Sequence, residues 1–299
     1  MVIYMVSLEK NTNQLLEMLI SCEVSDTEFE HRKNALKAAH RDYEAAISDI
    51  SNRYYSLAHE IRSFHFLKQF GALIISEDSK HESGCDFLLN NTFQIECVCS
   101  SAGKDTEKNG FSKLCTRNNL NGQLVDYGKK KEILYCRLTS SIKEKLNFYE
   151  EHIKKGATNP DMPYIIFLGL GALSHELFPG ENGIEFTSIL YGKGNPTLLI
   201  DTATGQTLNC GYAHNRALVN HNNAEINCNI FSSEEYRCIS GIMISAAGLE
   251  EKYTFENTWL FLNPNAKIKI ASHDFSDMVC WDMYSKFEYG PYRSGKQIG

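Results

Sequence analysis

Apolar side chains recur every three or four residues through the first part of the chain. Between Thr27 and Phe70 there is no proline or glycine, and Ala, Glu, Lys and Arg are frequent. This pattern predicts a long helix, broken once, that ends at Gly71. A shorter helix is predicted from Asn11 to Ser21. We therefore expect residues 1–50 to form an N-terminal helical arm.

After Gly71 the pattern changes to the short apolar or alternating runs that are typical of β-strands. The strands predicted before residue 100 are Ala72 to Ser76, Asp86 to Leu89 and Thr92 to Cys99. Asn90-Asn91 is a candidate for the tight turn of a hairpin between the last two. The third run, FQIECVC, alternates between two faces: one carries Phe93, Ile95, Cys97 and Cys99, and the other carries Gln94, Glu96 and Val98.

The rest of the chain predicts a strand, a helix and a strand, followed by short strands with frequent turns. Glu132 to Leu138 (EILYCRL) is predicted as a strand, and Ser140 to Lys155 as a helix capped by Thr139 or Ser140. Residues 192–229 are rich in Gly and Asn and predict a poorly regular insertion. The remaining predicted strands are Tyr164 to Leu170, Ser188 to Tyr191, Thr197 to Ile200, Ile239 to Ser245, Thr258 to Leu262 and Ile268 to Ile270.

These elements predict an α/β protein with a mixed central sheet flanked by helices. The expected domain covers residues 51–275, after the helical arm of residues 1–50 and before an irregular C-terminal extension at residues 276–299. With 299 residues, 42% of them apolar, the chain can bury a substantial core. Its ten cysteines form no compact framework, and no apolar run is long enough to span a bilayer. We expect a soluble cytoplasmic protein with no membrane partner.

Positive charge is concentrated in one segment although the formal net charge is −7. Residues 100–160 carry 12 Lys or Arg against 7 Asp or Glu, whereas residues 1–99 and 161–299 each carry 9 against 15. Because this segment follows the predicted hairpin, its side chains, Lys104 among them, could meet a phosphate backbone. A solvated basic loop and helix explains the same charges equally well.

The hairpin also brings two carboxylates to one end of the predicted sheet. Asp86 begins its first strand, and Glu96 lies within its second. Hard oxygen ligands of this kind bind the divalent metals that assist phosphoryl chemistry. The pair therefore predicts a Mg²⁺ or Mn²⁺ site, with Glu60 on the preceding helix as an auxiliary acid that could position a metal-bound water.

Several short motifs resemble the PD-(D/E)XK nuclease-like superfamily. Gly84-Cys85-Asp86-Phe87 matches its Asp motif, and Ile95-Glu96-Cys97-Val98 matches its Glu-x-Lys strand with valine in place of the lysine. Glu60, in SLAHEIRSFHFL, matches the acidic residue of the helix before the hairpin. From about Ser56 to Leu170 the chain is also similar to a group of uncharacterised bacterial proteins in which E-x-V replaces E-x-K.

The resemblance implies a restriction-endonuclease-like fold and metal-dependent hydrolysis of phosphodiester bonds, with DNA as the expected partner. Because Val98 lacks an ammonium group, the cation must come from another element. Lys145 lies beside the apolar stripe of the helix after residue 139, so we favour it over Lys143. The residues expected to bind the substrate are Lys104, Arg137, Ser140 and Lys143.

Two alternatives remain open at this point. The chain could be a catalytically degenerate nuclease fold that binds nucleic acid or protein, with its helical arm forming contacts such as a homodimer interface. Zinc is a weaker alternative, suggested by Cys97 and Cys99 with Cys85 and Cys115 nearby. Thiols that alternate with Glu96 and share a face with Phe93 are more simply explained as buried packing residues.

Overall fold

The structure is a computed structural model. It describes residues 2–22, 25–44, 51–75, 84–100, 127–170, 173, 186–214, 217–219, 225–248, 251–275, 277–283, 289–293 and 296–297. Within these residues no helix is long and apolar enough to cross a membrane.

Three helices form the N-terminal part of the molecule: α1 (Val2–Ser21), α2 (Asp26–Glu44) and α3 (Ser51–Leu67). The predicted helix is confirmed on both sides of residues 45–50, which lie outside the described residues, so the single break stays a prediction. The three helices share an apolar core formed by Leu8, Leu15, Met18, Leu19, Leu36, Ala39, Tyr54, Ala58 and Ile61. Because α3 also contributes Phe64, Phe66 and Leu67 to the core beneath the sheet, it joins the helical arm to the sheet.

The predicted hairpin is present and is tied to the end of α3. Strands β1 (Leu73–Ile75), β2 (Phe87–Leu89) and β3 (Phe93–Cys99) pair antiparallel in that order. Asn90 and Asn91 both adopt φ 53°, the left-handed conformation of a tight turn, which confirms the turn prediction. The backbone N–H of Asn90 donates to the carbonyl oxygen of Ala72 at 2.7 Å, and the backbone N–H of Ala72 donates to Asn90 Oδ1 at 2.8 Å.

Gly71 allows the chain to pass from the end of α3 into β1 beside the Asn90 side chain. Its φ is 143°, and a Cβ added there would lie 2.0 Å from Asn90 Oδ1. We expect Gly71→Ala to lower the free energy of unfolding by about 2–4 kcal/mol, because it strains the backbone and displaces the Asn90 side chain. Chemical denaturation measures the loss. Gly205→Ala is the matched control: Gly205 has φ 72° but no atom within 4 Å of the added Cβ, so only about 1 kcal/mol should be lost.

Equal losses in the two variants would show that Asn90 moves aside without cost.

The predicted strand at Glu132 to Leu138 is wrong. The structure instead contains one long helix, α4 (Tyr127–Lys154). Apolar residues three and four apart along α4 are buried against the sheet, namely Leu134, Leu138, Ile142, Leu146 and Tyr149. Within the seven residues 132–138 the apolar positions fit a strand as well as a helix. The helical spacing of three to four residues becomes clear only over the full length of α4.

The predicted cap at Thr139 or Ser140 is wrong for the same reason. Both residues lie inside α4, and their hydroxyls donate to carbonyls one turn earlier. Thr139 Oγ1 donates to Tyr135 O at 2.8 Å, and Ser140 Oγ donates to Cys136 O at 2.7 Å. Bonding of this kind lets Ser and Thr satisfy their hydroxyls within a helix.

A nine-stranded mixed sheet forms the centre of the protein. Its strands lie in the order β1, β2, β3, β4 (Tyr164–Gly169), β9 (Gly241–Ser245), β10 (Thr258–Leu262), β11 (Val279–Met283), β12 (Tyr289–Arg293) and β13 (Lys296–Gln297). Strands β3, β4 and β9 are parallel, and β10 is antiparallel to β9. One face packs against α4 and the other against α3. The prediction of an α/β protein with a mixed sheet flanked by helices is confirmed.

Four C-terminal predictions differ from the structure. Residues 188–191 fall largely within a short helix, α5 (Thr187–Leu190), and residues 268–270 form no strand. The predicted irregular insertion contains two hairpins, β5 (Lys193–Ile200) with β6 (Thr207–His214) and β7 (Ala217–Val219) with β8 (Glu225–Asn227). The predicted irregular extension contributes β11 (Val279–Met283), β12 (Tyr289–Arg293) and β13 (Lys296–Gln297) to the central sheet. Pairing with β10 explains why a weakly patterned sequence is extended there.

Candidate functional site

Strand register places Asp86 opposite Glu96. Phe87 pairs with Ile95 in the antiparallel β2–β3 ladder, so Asp86 and Glu96 are the next positions along it. Asp86 Oδ2 accepts a hydrogen bond from the backbone N–H of Cys97 at 2.7 Å, which fixes the carboxylate against β3. Residues opposite each other on neighbouring strands project from the same face of a sheet. The structure therefore brings together the two carboxylates that the sequence singled out.

Glu96 is buried on the face of the sheet that α4 covers. Its side chain is 7% exposed, and its Oε1 accepts a charge-assisted hydrogen bond from Lys145 Nζ. The other oxygen, Oε2, is fully buried and has no hydrogen-bond partner among the described residues. An unpartnered carboxylate oxygen inside a protein is costly, so this oxygen favours a cation, a proton or a water as its partner.

This environment changes the acidity of Glu96. Burial, with a further contribution from the nearby Asp86 carboxylate, raises the pKa of Glu96 to about 8, although Lys145 opposes the change. Burial lowers the pKa of Lys145, but Glu96 and Asp86 together outweigh it and raise that pKa above its ordinary value. Lys145 is therefore held as a cation, and Glu96 takes up a proton more readily than an exposed glutamate.

Of the two candidate lysines, Lys145 faces the carboxylates and Lys143 does not. The Lys143 ammonium instead pairs with Glu235 and lies 5.6 Å from the centre of the Tyr236 ring. Neighbouring helix positions i and i+2 point in different directions, which separates the two side chains. Val98, the residue that stands in place of the lysine of the Glu-x-Lys motif, packs into the apolar core beneath α4.

Glu60 approaches the same carboxylates from α3. Burial raises the pKa of Glu60, and Asp86 adds to the effect, whereas Arg32 and Lys145 oppose it. Its Oε2 accepts a hydrogen bond from Arg32 Nη1 at 2.8 Å. The structure thus brings Glu60, Asp86, Glu96 and Lys145 into one electrostatic cluster, although Glu60 is already bound to a guanidinium.

Arg32 is a residue that the sequence analysis missed. It lies on α2 with a side chain 13% exposed, and it also donates from Nε to Glu28 Oε1 at 2.5 Å. Burial lowers its pKa, but the Glu60 and Glu28 carboxylates outweigh this and raise it. Glu28 and Arg32 are four residues apart, which is the spacing of a common helix-surface ion pair, so no signal in the sequence distinguishes Arg32 from other surface arginines.

We expect Arg32→Met to lower the free energy of unfolding by about 1–2 kcal/mol, because it leaves the carboxylate of Glu60, whose side chain is 30% exposed, without its partner beside Asp86. Urea denaturation provides the measurement. The control is Arg237→Met, which removes an exposed pair with Glu234 (side chains 47% and 81% exposed) and should cost less than about 0.5 kcal/mol. Similar losses in both variants would mean that Glu60 is solvated after all.

The predicted substrate-binding residues are more scattered than the carboxylates. Ser140 is exposed on α4 and its hydroxyl is bonded within the helix. Arg137 lies on α4 two turns before Lys145 and is partly buried. Lys143 pairs with Glu235. Lys104, with most of the basic loop, lies outside the described residues, so its position stays a prediction.

A buried histidine beside Glu60 anchors α3 to the sheet. His59 Nε2 lies 2.8 Å from the carbonyl oxygen of Phe167 on β4 and donates to it, so Nδ1 accepts from the Tyr253 hydroxyl at 2.6 Å. Burial lowers the pKa of His59 to about 4, which keeps the ring neutral. A Cβ on Gly169 would lie 2.5 Å from this ring, so the glycine leaves room for it. His59 therefore has a structural role that helps to place Glu60.

The nearby thiols do not resemble metal ligands. Burial raises the pKa of Cys85 and of Cys99 to about 12, and that of Cys97 well above its ordinary value. Thiolates, the form that binds zinc, are therefore disfavoured. Cys115 lies outside the described residues.

Asp86 and Glu96 could bind a hard divalent ion as two of its ligands, but they do not make a site in which protein side chains supply every ligand. In the part of the chain that the structure describes, no group of three or more His, Cys, Asp or Glu side chains is arranged to hold a metal ion. Mg²⁺ is commonly held by one or two carboxylates, with waters and substrate oxygens completing its shell. Asp86 and Glu96, with the unpartnered Oε2, fit that mode.

Comparison of the chain with protein-family models, with curated proteins and with solved structures found no match.

Proposed function

We propose that this protein is a metal-dependent phosphodiester hydrolase acting on DNA, with a restriction-endonuclease-like domain. One observation carries the proposal: the Lys145 ammonium on α4 binds Glu96, directly beside Asp86, and leaves Glu96 Oε2 buried without a partner. The proposed site thus combines two carboxylates and an ammonium group, and Lys145 supplies from α4 the cation that Val98 cannot.

In this proposal Asp86 and Glu96 would hold Mg²⁺ or Mn²⁺. When bound, the ion supplies an activated water and neutralises charge that develops on the phosphate oxygens. The Cys97 N–H keeps Asp86 oriented, since it donates to Oδ2. Metal binding requires Glu96 to release the proton that its raised pKa favours, so it is expected to be pH-dependent.

Lys145 acts in the proposal as a fixed cation rather than as a base. Its raised pKa keeps three N–H donors available, and its bond to Glu96 aims them at the site. An ammonium group placed before the reaction stabilises a developing negative charge without reorganisation. Glu60, held by Arg32, would accept a hydrogen bond from a water at the edge of the site.

The test is incubation of the protein with plasmid DNA and with single-stranded DNA in Mg²⁺ and in Mn²⁺. We expect cleavage that EDTA abolishes and that Asp86→Ala and Glu96→Ala reduce by at least about a hundredfold. Glu150→Ala, an exposed carboxylate on α4, is the control and should cleave normally. Cleavage that survives both substitutions, or a wild-type protein without any cleavage, would overturn the proposal.

A further inference from the structure

One aromatic ring lies open to solvent next to the candidate site. Phe148 on α4 is 40% exposed. Among the described side chains of this helix, it is the large apolar side chain that is exposed to solvent. Its flanking helix neighbours Glu144, Asn147 and Glu151 are exposed polar residues. A buried stripe on the other side of α4 already supplies the packing against the sheet, so Phe148 is not needed for that packing.

The ring is in contact with the proposed cation. Lys145 Nζ, which binds Glu96, lies 5.4 Å from the centre of the Phe148 ring. One helical turn further on, the His152 ring lies 6.2 Å from that of Phe148, with 32° between the planes. Glu96, Lys145, Phe148 and His152 therefore form a continuous row from the buried carboxylate to solvent.

A flat apolar surface beside a cation has the chemistry that recognises a nucleotide. Bases stack on aromatic side chains while an adjoining positive charge binds the backbone, and such stacking tolerates any base. Within a duplex both faces of a base are covered by its neighbours. Only an unpaired or unstacked base can place its face on a protein ring.

We propose that Phe148 stacks an unpaired nucleobase next to the phosphodiester bound at Lys145, so that the preferred substrate is single-stranded or locally unpaired nucleic acid. This inference rests on the proposed function. The alternative role for Phe148 is to shield the Lys145 side chain. The two roles differ because shielding needs only apolar volume, whereas stacking needs an aromatic face.

The experiment measures binding of a fluorescein-labelled single-stranded 12-mer (about one site size) and of the matching duplex, by anisotropy in Ca²⁺. We expect Phe148→Leu to weaken single-strand binding about tenfold, Phe148→Trp to preserve it, and duplex binding to change little. Asn147→Ala is the surface control. A set of 12-mers that each lack one base gives a further test. We expect one position at which loss of the base weakens binding by the wild type but does not change binding by Phe148→Leu.

Equal losses on both DNAs, no loss on either, or abasic effects that persist in Phe148→Leu would overturn the inference. Steady-state cleavage of the single strand adds a second readout, with KM expected to rise in Phe148→Leu while kcat stays near the wild-type value. Failure of the two proposals is distinguishable. Phe148-dependent binding without cleavage overturns the hydrolase alone, whereas cleavage without Phe148 dependence overturns base stacking alone.

Discussion

Replacing Lys145 with methionine is expected to reduce the proposed metal-dependent DNA cleavage by at least about a hundredfold. The variant keeps an apolar side chain of similar length but removes the ammonium group, which binds Glu96 and lies 5.4 Å from the centre of the Phe148 ring. Val98 packs into the apolar core and cannot supply a cation, and among the described residues the ammonium group that binds Glu96 is that of Lys145. Single-turnover rates at saturating Mg²⁺ measure the effect on the chemical step apart from binding.

Lys143→Met is the matched control. It removes the same charge from the same helix, but the Lys143 ammonium forms an exposed pair with Glu235 rather than with Glu96, so cleavage should stay within about threefold of wild type. Circular dichroism checks that Lys145→Met is folded, since it leaves Glu96 buried without its counter-ion. A folded Lys145→Met protein that cleaves as fast as wild type would remove Lys145 from the proposed mechanism.

The side of α4 that faces the carboxylates could be predicted because local rules decide it. Ile142, Leu146 and Tyr149 form a buried stripe, and Lys145 lies at the edge of that stripe whereas Lys143 does not. The same reasoning worked for the hairpin, where the Asn90-Asn91 turn and the alternation of β3 place Asp86 opposite Glu96. Turn geometry and side-chain period are properties of a few neighbouring residues.

Features that depend on packing between distant segments could not be predicted. Arg32 meets Glu60 only because α2 packs on α3, and 28 residues separate them. The strand predicted at Glu132 to Leu138 failed because a short apolar run suits a strand or a buried helix equally well. Strand β11 pairs with β10, and β12 and β13 follow it outward in the sheet; the sequence of residues 276–299 alone does not reveal the pairing with β10.

The second large effect concerns Glu96→Gln, which should abolish cleavage and also change how stability depends on pH. The pKa of Glu96 is about 8 in the folded protein and near 4.5 when the chain is unfolded, so the folded state binds the proton more tightly. Its contribution to stability is therefore complete below about pH 4.5 and is lost as pH rises to about 8. One such group can change the free energy of unfolding by up to about 1.4 kcal/mol per pH unit.

Urea denaturation between pH 5 and 8 without divalent ions should show this decline in the free energy of unfolding of the wild type and a flatter profile in Glu96→Gln. The exposed control Glu150→Gln should match the wild type.

Adding Mg²⁺ at pH 8 should raise the free energy of unfolding of the wild type by roughly 1–2 kcal/mol, because the ion binds the folded carboxylates, and should leave that of Glu96→Gln unchanged. The same pH slope in both proteins would show that Glu96 does not titrate in this range. Stabilisation of both by Mg²⁺ would place the ion at another site, because a glutamine amide at position 96 supplies no negative charge to hold it beside Asp86.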